Sequence, residues 1–90
     1  MMIQANILYS GTVQGVGFRY TAFGYASELQ LKGWVKNLPD GSVEIMVQGP
    51  KTSIEVFYKK LDAHFEGYIK NKTVNYCEII SAFESFQITH

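Results

Sequence analysis

The sequence is poor in the residues that build covalent links and metal centres. Its 90 residues include one cysteine, Cys77, so no disulfide can form within the chain. A small domain without disulfides is typical of a reducing compartment, and we expect a cytoplasmic protein. Cys77 has apolar neighbours and is predicted to be a small buried side chain. Because the chain has only two histidines, far apart, and no Cys-x-x-Cys motif, we predict no metal site.

Excess charge and long apolar runs are also missing. Lysine and arginine together number 8, as do the acidic residues, so the formal net charge is zero. A nucleic-acid binding protein needs a basic surface against phosphates, and a transmembrane helix needs ~20 apolar residues. The first residues contain neither the basic region nor the apolar core of a secretory signal. We therefore expect no nucleic-acid partner and no membrane association. The length of the chain predicts a single domain, residues 1–90, and we expect a monomer.

Hydrophobic periodicity predicts a mixture of strands and helices. Alternation of apolar and polar residues indicates a strand with one buried face, whereas a helical repeat indicates an amphipathic helix. Residues 38–41, Leu-Pro-Asp-Gly, are a turn signal between two strands. The predicted strands cover residues 3–13, 33–38, 42–48 and 74–81, with a short final one at 86–89. The predicted helices cover residues 19–31 and a segment through Phe65 that begins at a capping box of Thr52 and Glu55.

The predicted order β-α-β-β-α-β is typical of the ferredoxin-like split β-α-β sandwich. This α+β fold has an antiparallel sheet with both helices on one face. A right-handed crossover makes the first two strands parallel, with the third strand between them. Residues 15–19, after the first strand, and residues 37–41, after the second, then lie at one edge of the sheet. Their backbones are expected about 10 Å apart, a gap that one small ligand and an arginine side chain can bridge.

Residues 11–19, GTVQGVGFR, combine three glycines with Arg19, the only arginine in the chain. Glycines allow backbone angles closed to other residues, and N–H groups at a helix start can bind an anion. Arg19 adds a planar donor fork that suits phosphate. The segment lacks the Gly-Lys-Ser/Thr of a Walker loop, and Tyr20 stands where a dinucleotide fingerprint has its third glycine. The residues therefore suggest a phosphoryl-binding loop, although on composition alone such glycines more often serve only to turn the chain.

Two segments resemble signatures of the acylphosphatase family. Residues 11–19 are similar to its first signature, and residues 33–44, GWVKNLPDGSVE, are similar to the second, Gly-Trp-Val-x-Asn-x-x-Asp-Gly-x-Val-Glu. Their order, their spacing and the ferredoxin-like topology also fit the family, whereas the residues after 50 fit only in outline. One departure is Gln30, where the family commonly has glycine. Because a helix end there prefers glycine in a left-handed conformation, we expect Gln30 to cost about 1 kcal/mol of stability.

The resemblance implies an acylphosphatase that hydrolyses acyl phosphates to a carboxylate and inorganic phosphate. By position, it implies that Arg19 binds the phosphate and that Asn37 holds the attacking water. It implies no cofactor and no metal, which suits a reaction with a weakly basic carboxylate leaving group. The resemblance further implies that backbone N–H groups hold the phosphate, those of Gln14, Gly15, Val16, Gly17, Phe18 and Arg19.

Simpler interpretations remain open for these features. Asn37 is common near turns and could merely shape the hairpin, and Trp34 is predicted to pack in the core. RNA-recognition domains share the topology, but the neutral charge and the missing aromatic signature argue against RNA binding. The alternative function is a non-catalytic phosphate-binding or regulatory module, similar to acylphosphatase-type domains inside larger proteins. The presence of both Arg19 and Asn37 favours the enzyme.

Overall fold

The computed structural model describes residues 1–90, which form five strands and two helices around one sheet. The elements are β1 Met2–Gly11, α1 Phe18–Glu28, β2 Lys32–Asn37, β3 Val43–Pro50, α2 Lys51–His64, β4 Ile69–Cys77 and β5 Phe86–Thr89. The sheet order is β4-β1-β3-β2-β5, so β3 lies between β1 and β2, as the predicted topology requires. All neighbouring strands are antiparallel except β2 and β5, so the sheet is mixed where the sequence predicted an antiparallel one.

The core lies between the sheet and the two helices. In β1, the side chains of Ala5, Ile7 and Tyr9 are fully buried, which confirms the predicted alternation. Both helices contribute buried side chains to the same core, and burying these apolar groups is the main source of stability in so small a domain. The helical members are Phe18, Ala22 and Ala26 of α1 and Ile54, Phe57 and Leu61 of α2. Neither helix is long and apolar enough to cross a membrane.

The last long strand differs from its prediction. The sequence pattern predicts it at residues 74–81, but β4 begins at Ile69 and ends at Cys77. Its first half is polar, and the strand forms there because its backbone pairs with β1 at the sheet edge, where side chains need not be buried. Cys77 is exposed, and its predicted burial is wrong. It lies opposite Gln4 on the outer face of the sheet, whereas Val74 and Tyr76 pack against the core.

Two further predictions are corrected at β2 and at α2. Trp34 is only half-buried and lies on the outer face, where Lys36 Nζ is 5.0 Å from its ring centroid, because Gly33 and Val35 occupy the core side. Position 33 also requires glycine, because a Cβ there would overlap the Met46 carbonyl oxygen of β3. The capping box of Thr52 and Glu55 does not form. Instead, β3 runs directly into α2, and Pro50, with φ −61° and ψ 140°, is the residue from which the helix starts.

Helix α1 ends in a left-handed turn at Gln30. Its φ is 57°, the only positive value outside glycine in the chain. The Leu31 N–H donates to Ala26 O at 2.8 Å and the Gln30 N–H to Ser27 O at 3.1 Å, which is the Schellman pattern. The helix therefore ends where the sequence placed its left-handed cap, with a residue that is poorly suited to it.

Gln30→Gly is expected to raise the free energy of unfolding by about 1 kcal/mol, because it removes the side chain from a left-handed conformation. Urea denaturation measures the change. Gln30→Ala is the matched control, since it keeps a Cβ at the same φ. Equal stability of the glycine and alanine variants would contradict the explanation.

Candidate active site

A loop of residues 12–17 connects β1 to α1 and is fixed at both ends. The Thr12 N–H donates to Tyr68 O at 2.8 Å, and the side chain of Val13 is fully buried. Gly15 and Gly17 have φ values of 78° and 80°, which L side chains rarely adopt, and Gly17 is the N-cap of α1. A Cβ at either glycine would meet only open space, so the need for glycine here is conformational. The loop ends where α1 begins, at Phe18, and the N–H groups of the first helical turn have no partner within the helix.

The side chain of Gln14 ties this loop to the β2–β3 turn. Its Nε2 donates to the carbonyl oxygens of Leu38 and Ser42, both at 2.8 Å. The two segments predicted to share a sheet edge are therefore in direct contact. Only the backbone N–H of Gln14 is predicted to contribute to the site, because no periodicity in the sequence signals these side-chain bonds.

The β2–β3 turn is stabilised by its own hydrogen bonds. Asp40 Oδ1 accepts the Ser42 N–H at 3.0 Å and also the Ser42 hydroxyl. These bonds lower the pKa of the Asp40 carboxyl below its ordinary value, because they favour the charged form. The Gly41 N–H donates to Leu38 O at 3.1 Å. Asp40 and Gly41 thus belong to the turn, which holds the end of β2 in place.

One cavity of about 190 Å³ brings together Arg19 from the start of α1 and Asn37 from the end of β2. Asn37 is two residues after the buried Val35 in β2, so its side chain lies on the same face, the helix side of the sheet. The cavity is lined by Val13, Gly15, Gly17, Phe18, Arg19, Tyr20 and Asn37. Of the residues expected in the phosphate cradle, only Gln14 and Val16 are outside this lining. Val16 is partly buried against the core.

Arg19 has a partner that the sequence did not suggest. Its Nη1 lies 3.1 Å from Nδ1 of His90, the residue after β5. A guanidinium group only donates, so Nδ1 of His90 is the acceptor in this bond. The contact exists because β5 runs parallel to β2 and ends at the same edge of the sheet. It orients Arg19 through one nitrogen and leaves the other donors of the fork for an anion.

A buried aromatic cluster supports the start of α1. The Phe18 ring lies 4.9 Å from the Tyr9 ring and 4.5 Å from the Phe65 ring, measured between centroids. The Tyr9 hydroxyl donates to Asp62 Oδ1 at 2.9 Å, and Asp62 also pairs with Lys72. Burial, followed by the Asp62 charge, raises the pKa of Tyr9 far above its ordinary value, so it stays a neutral donor. Since Arg19 follows Phe18 directly, its backbone rests on this rigid cluster.

A larger cavity, of about 550 Å³, lies at the opposite end of α1. Its lining contains one charged side chain, that of Lys32, and neither signature loop contributes to it. Nowhere in the chain do three or more His, Cys, Asp or Glu residues form a group that could hold a metal ion. The smaller cavity is the candidate active site because the glycine loop, Arg19 and Asn37 meet there.

Gln14→Glu is expected to destabilise the protein by about 1–3 kcal/mol and to lower kcat/KM. A carboxylate cannot donate to the Leu38 and Ser42 carbonyls and would repel them, so the loop and the turn would separate. Chemical denaturation and steady-state kinetics measure the two effects. Gln87→Glu, at an exposed position in β5, is the matched control. A Gln14→Glu variant as stable and active as this control would show that the bonds do not organise the site.

Comparison with known proteins finds relatives along the whole chain. The family model described as Acylphosphatase matches residues 5–88. A curated acylphosphatase of Methanospirillum hungatei is 39% identical over 74 residues, which are 82% of this chain and 81% of the relative. That of Bacillus subtilis is 48% identical over 56 residues, 62% of each chain and so less than two thirds of that relative. The crystal structure of acylphosphatase from Bacillus subtilis superposes on 100% of both chains with a TM-score of 0.91 and 34% identity.

Proposed function

This chain belongs to the acylphosphatase family, and we propose that it hydrolyses acyl phosphates, R–CO–O–PO₃²⁻, in the cavity that Arg19 and Asn37 line. The matching family model, the curated relatives and the structural match carry the same name, so the chain is an acylphosphatase enzyme. Its substrate is a small acyl phosphate and its product is inorganic phosphate. The observation that supports the residue roles is the meeting of an arginine fork, an amide side chain and a glycine loop in one cavity.

The loop and Arg19 bind the phosphate group. The backbone N–H groups from Gln14 to Arg19 form the cradle, with the positive end of the α1 dipole behind them. The Arg19 guanidinium binds two phosphate oxygens through parallel hydrogen bonds, which an ammonium group cannot reproduce. These donors are held in advance by Gln14, His90 and the aromatic cluster. Because they need not rearrange, they can stabilise the charge that spreads over the phosphoryl oxygens in the transition state.

Asn37 positions the water that attacks phosphorus. Its amide oxygen accepts a water O–H, and its amide N–H₂ can donate to a phosphate oxygen. The water oxygen forms a bond to phosphorus while the bond from phosphorus to the acyl oxygen breaks. The electron pair of that bond leaves with the carboxylate, and the water proton passes to a phosphate oxygen. The carboxylate is a weak base and leaves without a proton, so the reaction needs no general acid.

We propose that residues 1–90 form one domain that acts as a monomer in the cytoplasm and has no nucleic-acid partner. The zero net charge argues against binding to nucleic-acid phosphates, and the single cysteine favours a reducing compartment. The alternative of a non-catalytic anion-binding module is not favoured, since the curated relatives are named as acylphosphatases.

Hydrolysis of benzoyl phosphate in the presence of EDTA tests the proposed function. The purified protein should release inorganic phosphate at a rate that is proportional to the enzyme concentration and that saturates as the substrate concentration rises. Inorganic phosphate should inhibit competitively, because it is the product and occupies the same cradle. A folded protein with no turnover above the spontaneous rate would contradict the proposal and favour the non-catalytic module.

A further inference from the structure

We propose that Tyr20 selects the acyl group of the substrate, and that its ring favours aromatic acyl phosphates over acetyl phosphate. This inference rests on the proposed function of the same cavity. It concerns the part of the substrate that Arg19 and Asn37 do not recognise, because both of those residues act on the phosphoryl group.

The position of Tyr20 is unusual for an aromatic residue. Its side chain is 71% exposed, yet it lines the cavity together with Arg19 and Asn37. The ring does not pack in the core, since the aromatic cluster beneath the loop is formed by Phe18 and its neighbours. A large ring left in water beside an anion site carries an apolar surface that a ligand can cover.

The acyl group lies on the side of the phosphoryl group that faces away from the cradle. In the proposed function, the loop amides and Arg19 bind the terminal phosphate oxygens at one side of a cavity of about 190 Å³. The acyl carbon is bonded to the bridging oxygen, so it is directed away from these donors and toward the mouth of the cavity.

Among the apolar residues that line the cavity, Tyr20 alone is exposed. The other two apolar lining residues are Val13 and Phe18, which are 0% and 2% exposed. An acyl group leaving the cavity therefore meets glycine backbone, polar groups and the Tyr20 ring. An aromatic acyl group can stack on the ring, whereas a methyl group covers little of it.

The test compares kcat/KM for benzoyl phosphate and acetyl phosphate in the wild type, Tyr20→Ala and Tyr20→Phe. Tyr20→Ala should lower the value for benzoyl phosphate about fivefold to tenfold, the size of one ring contact, and change acetyl phosphate less than about twofold. Tyr20→Phe keeps the ring and should retain the preference. The inhibition constant of inorganic phosphate should be the same in all three proteins, because the cradle is unchanged.

Phe23→Ala is the control, since Phe23 lies on the same helix, is 41% exposed and lines the cavity of about 550 Å³ at the opposite end of α1. It should alter both substrates equally or not at all. If the ratio of kcat/KM for benzoyl phosphate to that for acetyl phosphate were unchanged in Tyr20→Ala, the role of Tyr20 would be overturned. The enzyme would still be an acylphosphatase. A wild type that hydrolyses neither substrate would instead contradict the proposed function itself.

Discussion

Arg19→Lys is expected to lower kcat/KM for benzoyl phosphate by about 10²- to 10³-fold, the loss seen when one preorganised donor is removed from an oxyanion site. Lysine keeps the positive charge but replaces the planar fork with a compact ammonium group. It can neither bind two phosphate oxygens in parallel nor reproduce the aligned bond to His90 Nδ1. Steady-state kinetics and the inhibition constant of phosphate measure the effect, and both should worsen.

The control for this exchange is Lys59→Arg, at an exposed position in α2. It also exchanges one cation for the other, but at a residue that does not line the candidate cavity, and should leave the kinetics unchanged. If Arg19→Lys kept near-normal kcat/KM, a positive charge alone would be sufficient and the guanidinium fork would not be the phosphate clamp.

Asn37→Ala is expected to lower kcat by about 10²-fold while the inhibition constant of phosphate changes little. The amide orients the attacking water, so its loss affects the chemical step more than binding of the anion. The fold should tolerate the change, because Asn37 is the last residue of β2 and the turn beyond it is held by Asp40 and Ser42. Measuring kcat and phosphate inhibition on the same protein separates the two roles.

Asn75→Ala is a matched control, since Asn75 is an exposed asparagine in β4, on the outer face of the sheet. Its kinetics should match those of the wild type. If Asn37→Ala lost phosphate binding together with turnover, Asn37 would belong to the anion cradle, and the attacking water would need another holder.

Much of the fold is predictable because its signals are local. The alternation along β1 and the helical repeat of α2 reflect which face each element buries. Once the order of elements is known, the handedness of the crossover places β3 between β1 and β2. That topology, and not the glycine motif alone, brings Arg19 and Asn37 to one cavity. The left-handed end of α1 at Gln30 is equally local, since it depends on one backbone position.

The remaining features depend on contacts that are distant in sequence. The first half of β4 has a polar sequence and becomes a strand only because β1 offers a free edge. The Gln14 side chain donates hydrogen bonds to carbonyl oxygens of the β2–β3 turn. His90 contacts Arg19 only because β5 pairs in parallel with β2. The false capping box has a similar origin, because β3 continues into α2 and leaves Thr52 inside the helix. None of these arrangements has a periodic signature.

A crystal soaked in inorganic phosphate tests the central claim most directly. The claim is that one cradle, formed by the loop amides and Arg19, holds the phosphoryl group beside Asn37. The expected result is a phosphate ion within hydrogen-bond distance of backbone N–H groups among residues 14–19 and of the Arg19 fork, with the Asn37 amide facing it. A phosphate bound elsewhere, or one that contacts Arg19 but none of the loop amides, would contradict this account.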